Sequence, residues 1–249
     1  MRSLKLTVRY DGSQYAGWQV QPDCNTVQQE LEQAWTRITG ESIRVIASGR
    51  TDSGVHALGQ VVSISTETDK TDEILCRALN AHLPNDIAVM KLEPAPEGFH
   101  AIRDAKSKRY RYWLGNGGVE DIFWRDYGWH FRLPLNVDLM RQAASRLLGT
   151  HDFASFQAAR SDRKTTVRTI IDLPIDEMVQ DDTPLIRVEV CADGFLYNMV
   201  RNIVGSLVAV GQQEQPPEWI DEVLAAKDRR AAGATAPARG LFLVSVDYD

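Results

Sequence analysis

Twice along the chain, runs that alternate polar and apolar residues and runs with apolar residues three or four apart follow one another as strand, helix, strand, strand, helix, strand. Few folds accommodate that order. In the first pass "LKLTVRY" alternates as a strand, and Asn25 with Gln28 reads as a capping box ahead of Val27, Leu31, Ala34 and Ile38, which fall on one helical face. "SIRVIAS" and "GQVVSIST" read as two strands, "TDEILCRALNAHL" as a helix stopped by Pro84, and "DIAVMKLE" as a further strand. In the second pass "RYRYWLG" opens as a strand, and a strand-like "YGWHFRL" precedes the helical stripe Val137, Met140, Ala144, Leu147. Strands "VRTIIDLPI" and "PLIRVEV" follow, then the apolar helix "NMVRNIVGSLVAVG", an extra helix in "PPEWIDEVLAAK" and a closing strand "LFLVSVDY". The expectation is an α+β protein of two ferredoxin-like βαββαβ halves, residues 1–98 and 99–249, with a mainly antiparallel sheet and helices packed on it. The boundary is placed between Pro94 and His100, where two prolines and a glycine interrupt the periodicity.

With 249 residues, 43% of them hydrophobic, the chain can bury a substantial core. No run approaches the ~18 apolar residues of a membrane span, and "MRSLKLTVRY" alternates where a signal peptide would be continuously apolar, so a cytoplasmic protein with no membrane partner is expected. Cys24, Cys76 and Cys191 are isolated, which suggests neither a disulfide framework nor a thiolate zinc site. The histidines (His56, His82, His100, His130, His151) never take metal-ligand spacing, and H-E-x-x-H, G-x-S-x-G and the phosphate-loop pattern are absent. These spacings give little support to a metal site or a phosphate loop.

A net charge of -6 disfavours general affinity for nucleic acid. Two segments run against that average. Between Ala101 and Gly115 stand Arg103, Lys106, Lys108, Arg109 and Arg111 against Asp104; between Arg160 and Arg168 stand Arg160, Arg163, Lys164 and Arg168 against Asp162. The first interleaves its cations with aromatics, "KSKRYRYW", the combination unpaired bases require.

The stretch "ASGRTDSGVHALGQVVSI" holds one carboxylate, Asp52, bracketed by Gly49 and Gly54 on a loop between strands. Such glycines let the backbone take tight conformations, which suits a turn aspartate as well as a catalyst. Arg201 is the second oddity, a cation inside a helix apolar enough to be mostly buried. A buried guanidinium needs acceptors, because an unpaired charge there costs several kcal/mol. A helix of one half facing a loop of the other would bring Arg201 to Asp52 in a cleft between the halves; the alternatives are that it reaches water or pairs with Asp193.

"GRTDSGVHALGQVVSI" resembles the catalytic segment of the tRNA pseudouridine synthase A family, usually written G-R-T-D-A-G-V-H-A. "YDGSQYAGWQ", "NAHLPNDIAV", "FHAIRDAKSKRYRYWL", "FLYNMVRNIVGSL" and "GLFLVSVDY" match further family blocks in order, across both halves. Ser53, where alanine is usual, is a small-for-small departure. The resemblance implies isomerisation of uridine to pseudouridine at positions 38, 39 and 40 of the tRNA anticodon arm, without cofactor or metal, by a homodimer. It implies Asp52 as nucleophile, attacking base or ribose or stabilising a cleaved sugar, with Arg201 as the cation keeping it ionised. Tyr110 is similar to the tyrosine that packs against the target uracil, with its hydroxyl near the departing C5 proton. Arg50 is similar to the arginine implicated in extruding the nucleotide and holding its phosphate. Lys108, Arg109, Arg111 and His56 are expected to bind substrate. The rival expectation is a non-catalytic RNA-binding protein, since tandem RNA-recognition domains share this element order; the RNP1 pattern is not present in "KSKRYRYWLG".

Overall fold

A computed structural model describes residues 1–158 and 165–249 of the chain. These form a mixed α+β structure with a mainly antiparallel arrangement of strands and five α-helices among the described residues. Contacts divide it into two compact units, Met1–Lys106 with Phe242–Asp249, and Ser107–Leu241.

The first unit follows the expected order: β1 (Arg2–Tyr10), α1 (Val27–Thr39), β2 (Ile46–Ala47), β3 (His56–Thr66), α2 (Asp72–His82) and β4 (Ile87–Pro94). Its strand β1 alternates as read, with Leu4, Leu6, Val8 and Tyr10 buried and Arg9 exposed. It pairs antiparallel with β3 on one side and β4 on the other. Leu31, Ala34 and Trp35 of α1 and Leu75 and Leu79 of α2 are buried, and the two helices touch.

Three local expectations are corrected. Helix α1 starts at Val27 with Thr26 as N-cap, and no side chain caps it; its first amides are taken by the Gly17 and Trp18 carbonyls, while Gln28 Oε1 accepts from the Val20 amide. The Asn25–Gln28 box is therefore replaced by a loop folded over the helix end. The strand in "SIRVIAS" shrinks to β2, two residues paired with Ser63 and Val62 of β3. The closing strand, expected in the second half, belongs to the first unit from Phe242 onward. As β11 (Leu241–Asp247) it runs parallel to β3 at His56 and Ala57, and a Cβ on Gly59 would lie 2.4 Å from the Val244 carbonyl oxygen. Residues 99–106 lie in the same unit, where Lys106 N–H donates to Asp247 O (2.8 Å) and the Tyr248 hydroxyl to Ala101 O (2.8 Å).

Glu41, just past α1, ties that helix to the end of β3: its carboxylate accepts from Trp35 Nε1 (3.1 Å), from the Glu67 amide (2.9 Å) and from the Thr66 hydroxyl. Burial alone would raise this carboxyl, but the Thr66 and Trp35 hydrogen bonds outweigh it and hold Glu41 below the usual carboxylate range. A depressed folded-state value contributes stability above the unfolded-state pKa of about 4.3, lost as pH falls through the folded-state value. Glu41→Gln is accordingly expected to lose about 1–2 kcal/mol at pH 7, roughly 2–8 °C in Tm, with the gap to wild type closing as the pH is lowered. Thermal melts at several pH values read this out, and equal melting at neutral pH would remove the tie.

The second unit contains β5 (Ser107–Asn116), β6 (Trp129–Phe131), α3 (Val137–Ser145), β7 (Gly149–Asp152), β8 (Val167–Asp172), β9 (Ile175–Gln180), β10 (Thr183–Ala192), α4 (Met199–Gly211) and α5 (Trp219–Ala226). Its strands order as β5-β10-β8-β7, with β6 parallel on β5 and β9 on β10. "VRTIIDLPI" divides into β8 and β9 around Leu173–Pro174, where proline supplies no ladder donor. A two-residue hairpin turn joins β9 to β10 through Asp181 and Asp182, both at positive φ (47° and 62°), as the right-handed twist of a hairpin requires. Helix α4 is buried along most of its length. Gly205 lets it touch the chain at Ala234, whose carbonyl oxygen would lie 1.7 Å from an added Cβ. Among the described residues no helix is long and apolar enough to cross a membrane.

Candidate active site

In the first unit the loop Ser48–Val55 carries Asp52 into β3. Thr51 is buried, Asp52 half-buried, and Arg50 and Ser53 are exposed. The Val55 amide closes a turn on Asp52 O (3.1 Å), and Gly54 at φ 76° supplies its left-handed residue. Arg50 makes no hydrogen bond or ion pair with another described residue that the geometry records, and its exposure suits a solvent-facing ligand.

The segment Tyr10–Gln19 clasps this loop, a role its sequence did not disclose. Trp18 N–H donates to Thr51 O (3.0 Å), and the Ser53 hydroxyl to Tyr15 O (3.1 Å). Gly17, at φ 95°, lies so close that a Cβ would sit 2.7 Å from Thr51 O and 3.1 Å from both the Asp52 carbonyl carbon and the Ser53 nitrogen. The signal available in the sequence was the pair Gly12 and Gly17, each needed for close backbone approach.

His56, expected to bind substrate, stands first in β3. It is 1% exposed, stacks on Phe242 (4.5 Å between ring centroids) and takes the Gly12 N–H on Nδ1 (3.1 Å), so its imidazole fastens the Asp11–Gly12 turn inside the first unit. Being first in β3 and beside β11, it has its ring in the core rather than at a surface.

In the second unit, β5 alternates, and that alternation reinterprets "KSKRYRYW". Tyr110 and Tyr112 are buried on one face, while Arg109, Arg111 and Trp113 belong to the other. Arg109 forms a bidentate pair with Asp172 (Nη1 and Nη2 each 2.8 Å), and Arg111 Nε donates to Glu189 (2.8 Å). Hydrogen bonding to Asp172 raises the Arg109 pKa further above its already high value. Arg111 also lies over the Trp113 ring at 5.5 Å. Arg109 and Arg111, expected to bind substrate, are thus paired with carboxylates of β8 and β10, on the face opposite Tyr110 and Tyr112. Lys108 shares the strand face of Tyr110. Tyr110 is 8% exposed and meets the edge of Phe195 (4.9 Å, planes at 83°).

Arg201, in the first turn of α4, is half-buried. Its Nε donates to Ala236 O (2.7 Å), its Nη1 to Asn198 Oδ1 (3.1 Å), and its own carbonyl accepts from the Ala236 amide (3.1 Å). The segment supplying Ala236 is itself fixed to α4, with the Thr235 hydroxyl donating to Asn202 Oδ1 (2.7 Å) and Gly233 N–H to the Ser206 hydroxyl (2.9 Å). Asp193, the alternative partner, accepts from the Thr169 amide (3.0 Å). Backbone and amide oxygens thus help to orient the guanidinium, and nothing in the sequence marks the 233–236 strap as a partner of α4. Arg160, Asp162, Arg163 and Lys164 of the second basic segment lie outside the described residues. Among the described residues no three His, Cys, Asp or Glu side chains are grouped so as to hold a metal ion.

The chain matches the family model described as tRNA pseudouridine synthase over residues 6–103 and 143–249, which include the Asp52 loop and Arg201 but not Tyr110. It is similar along its whole length to curated proteins named tRNA pseudouridine synthase A. The protein of Moorella thermoacetica is 49% identical over 251 residues, with 100% of both chains covered. That of Bacillus subtilis is 46% identical, with 99% of both covered. That of Thermoanaerobacter sp. strain X514 is 44% identical, with 100% of both covered.

Proposed function

The chain belongs to the tRNA pseudouridine synthase family, and on that premise we propose that it isomerises uridine to pseudouridine at positions 38, 39 and 40 of the tRNA anticodon arm, with Asp52 as nucleophile. The observation that carries this reading is a half-buried carboxylate on a loop whose backbone is gripped by a second segment, within a full-length likeness to named synthases. A reacting carboxylate needs such fixing, because displacement of about 1 Å can cost 10²-fold in rate.

The reaction breaks the C1′–N glycosidic bond, turns the uracil and joins its C5 to C1′. One proton leaves C5 and one returns to nitrogen, so atoms and electrons balance within the nucleotide. Asp52 carries the covalent or ion-paired intermediate while the base turns. Tyr110 packs against the base and offers its hydroxyl to the C5 proton. Arg201 is the proposed cation favouring ionised carboxylate, an assignment supported by its fixed guanidinium and by the match of its segment to the family. Exposed Arg50 and half-buried Lys108 are proposed to hold phosphates of an extruded nucleotide. The protein is further proposed to act as a homodimer in the cytoplasm.

The test uses purified protein and tRNA transcripts tritiated at C5 of uridine, native or with cytidine at each of positions 38, 39 and 40. Tritium release is expected to fall stepwise as those uridines are replaced. A protein that only binds RNA would release none.

A further inference from the structure

Behind the Asp52 loop lies a buried polar chain that the proposed chemistry does not itself use. Gln60 is 0% exposed, yet its amide is fully engaged: Oε1 accepts from the Ser48 hydroxyl (2.8 Å), and Nε2 donates to Gly49 O (2.8 Å) and to the Tyr10 hydroxyl (3.4 Å). Tyr10 in turn hydrogen-bonds Thr51 Oγ1 at 2.8 Å. Since its hydroxyl accepts from Gln60, it is free to donate to Thr51. Burial pushes the Tyr10 phenol up to about 12, so it keeps its proton through the neutral range.

These contacts reach Ser48, Gly49 and Thr51, the last directly before Asp52. Gln60 pairs with Val8, two residues from Tyr10 on β1, and so lies on the sheet face that Tyr10 shares. Between Val8↔Gln60 and Tyr10↔Ala57 the register steps by two residues on β1 and three on β3, so β3 carries one extra residue there. A bulge of this kind re-aims β3 where it leaves the Asp52 loop and brings Ala57 opposite Tyr10. A polar amide in this core would be costly unless its bonds did something an apolar side chain could not.

We propose that Gln60, acting with Tyr10, is a positioning residue that holds the Ser48–Thr51 backbone so that Asp52 is presented in one reactive orientation. The inference rests on the reading of Asp52 as nucleophile. Gln60 touches no substrate in this scheme; it acts through the loop.

The experiment measures single-turnover tritium release and tRNA binding for Gln60→Met, Tyr10→Phe and their combination, beside Asp52→Asn. Leu75→Ala in α2, a buried position remote in sequence from the loop, shows what loss of stability alone does. Gln60→Met is expected to lower the rate of the chemical step about 10- to 100-fold with tRNA affinity within about threefold, a split that Leu75→Ala does not produce below its melting temperature. The double variant is expected to fall no more than about threefold below the worse single variant, because residues of one network are not additive. If Gln60→Met does not fold, Tyr10→Phe, which keeps its ring, decides alone. Folded variants turning over within threefold of wild type, while Asp52→Asn is inactive, overturn the positioning role and leave the nucleophile standing. So does a loss confined to tRNA affinity. An active Asp52→Asn overturns the nucleophile and the positioning role with it.

Discussion

Asp52→Asn is expected to lose turnover by a factor on the order of 10⁴ to 10⁶, the range seen when a nucleophile or its close partner is removed, while tRNA affinity and Tm stay near wild type. The amide nearly matches the carboxylate in size, so the change removes charge and nucleophilicity with little change of shape. The turn does not depend on the ionised group, being closed by Val55 N–H on the Asp52 carbonyl and shaped by Gly54. Thr51 O remains held by Trp18 N–H, and the loop keeps its close contact with Gly17. Asp52→Glu offers the complementary result. It restores charge but moves the carboxylate by about one bond length, which is expected to leave turnover at least about 10²-fold below wild type. Single-turnover tritium release and filter binding measure both variants. Asp52→Asn turning over within tenfold of wild type would end the nucleophile assignment.

Local order was more legible in the sequence than partnership. The alternation of β1, the stripes of α1 and α2 and the apolar run of α4 reflect which face of each element is buried, and periodicity reports that directly. The Asp52 loop was visible for a similar reason, since Gly54 is required by the backbone conformation at its own position. What was misread depended on residues far away in the chain. In "KSKRYRYW" the strand sends Tyr110 and Tyr112 to one face and Arg109, Arg111 and Trp113 to the other, where Asp172 takes Arg109 from 63 residues away and Glu189 takes Arg111 from 78. The closing strand β11 carried no mark of the unit it joins, because strand periodicity says which face is buried and not which neighbour is paired. Gln60 looked like an ordinary strand residue because its value lies in three oxygens supplied by Ser48, Gly49 and Tyr10. His56 was the converse case, a chemically versatile side chain beside the proposed nucleophile's loop whose ring packs on Phe242 in the core.

Tyr110→Phe is the second large effect expected and the more searching one, because the match to the family model does not extend over this residue. The ring is 8% exposed and edge-on to Phe195, so phenylalanine keeps the packing and removes one oxygen. If the hydroxyl serves the C5 proton, its loss should lower turnover about 10²- to 10⁴-fold, the range for a positioned acid or base, with tRNA affinity almost unchanged. The step that slows is loss of the C5 proton after the new C–C bond has formed. Deuterium at C5 should therefore produce a clear isotope effect in Tyr110→Phe, larger than in wild type. Tyr110→Ala would also remove the ring, with a stability loss of about 3–5 kcal/mol by analogy with other buried aromatics, and its lower activity would mix chemistry with packing. A tyrosine that only stacks predicts another pattern: Tyr110→Phe close to wild type in rate and isotope effect, and Tyr110→Ala weak in binding. That pattern would move proton transfer to another group and leave Tyr110 as a surface for the base.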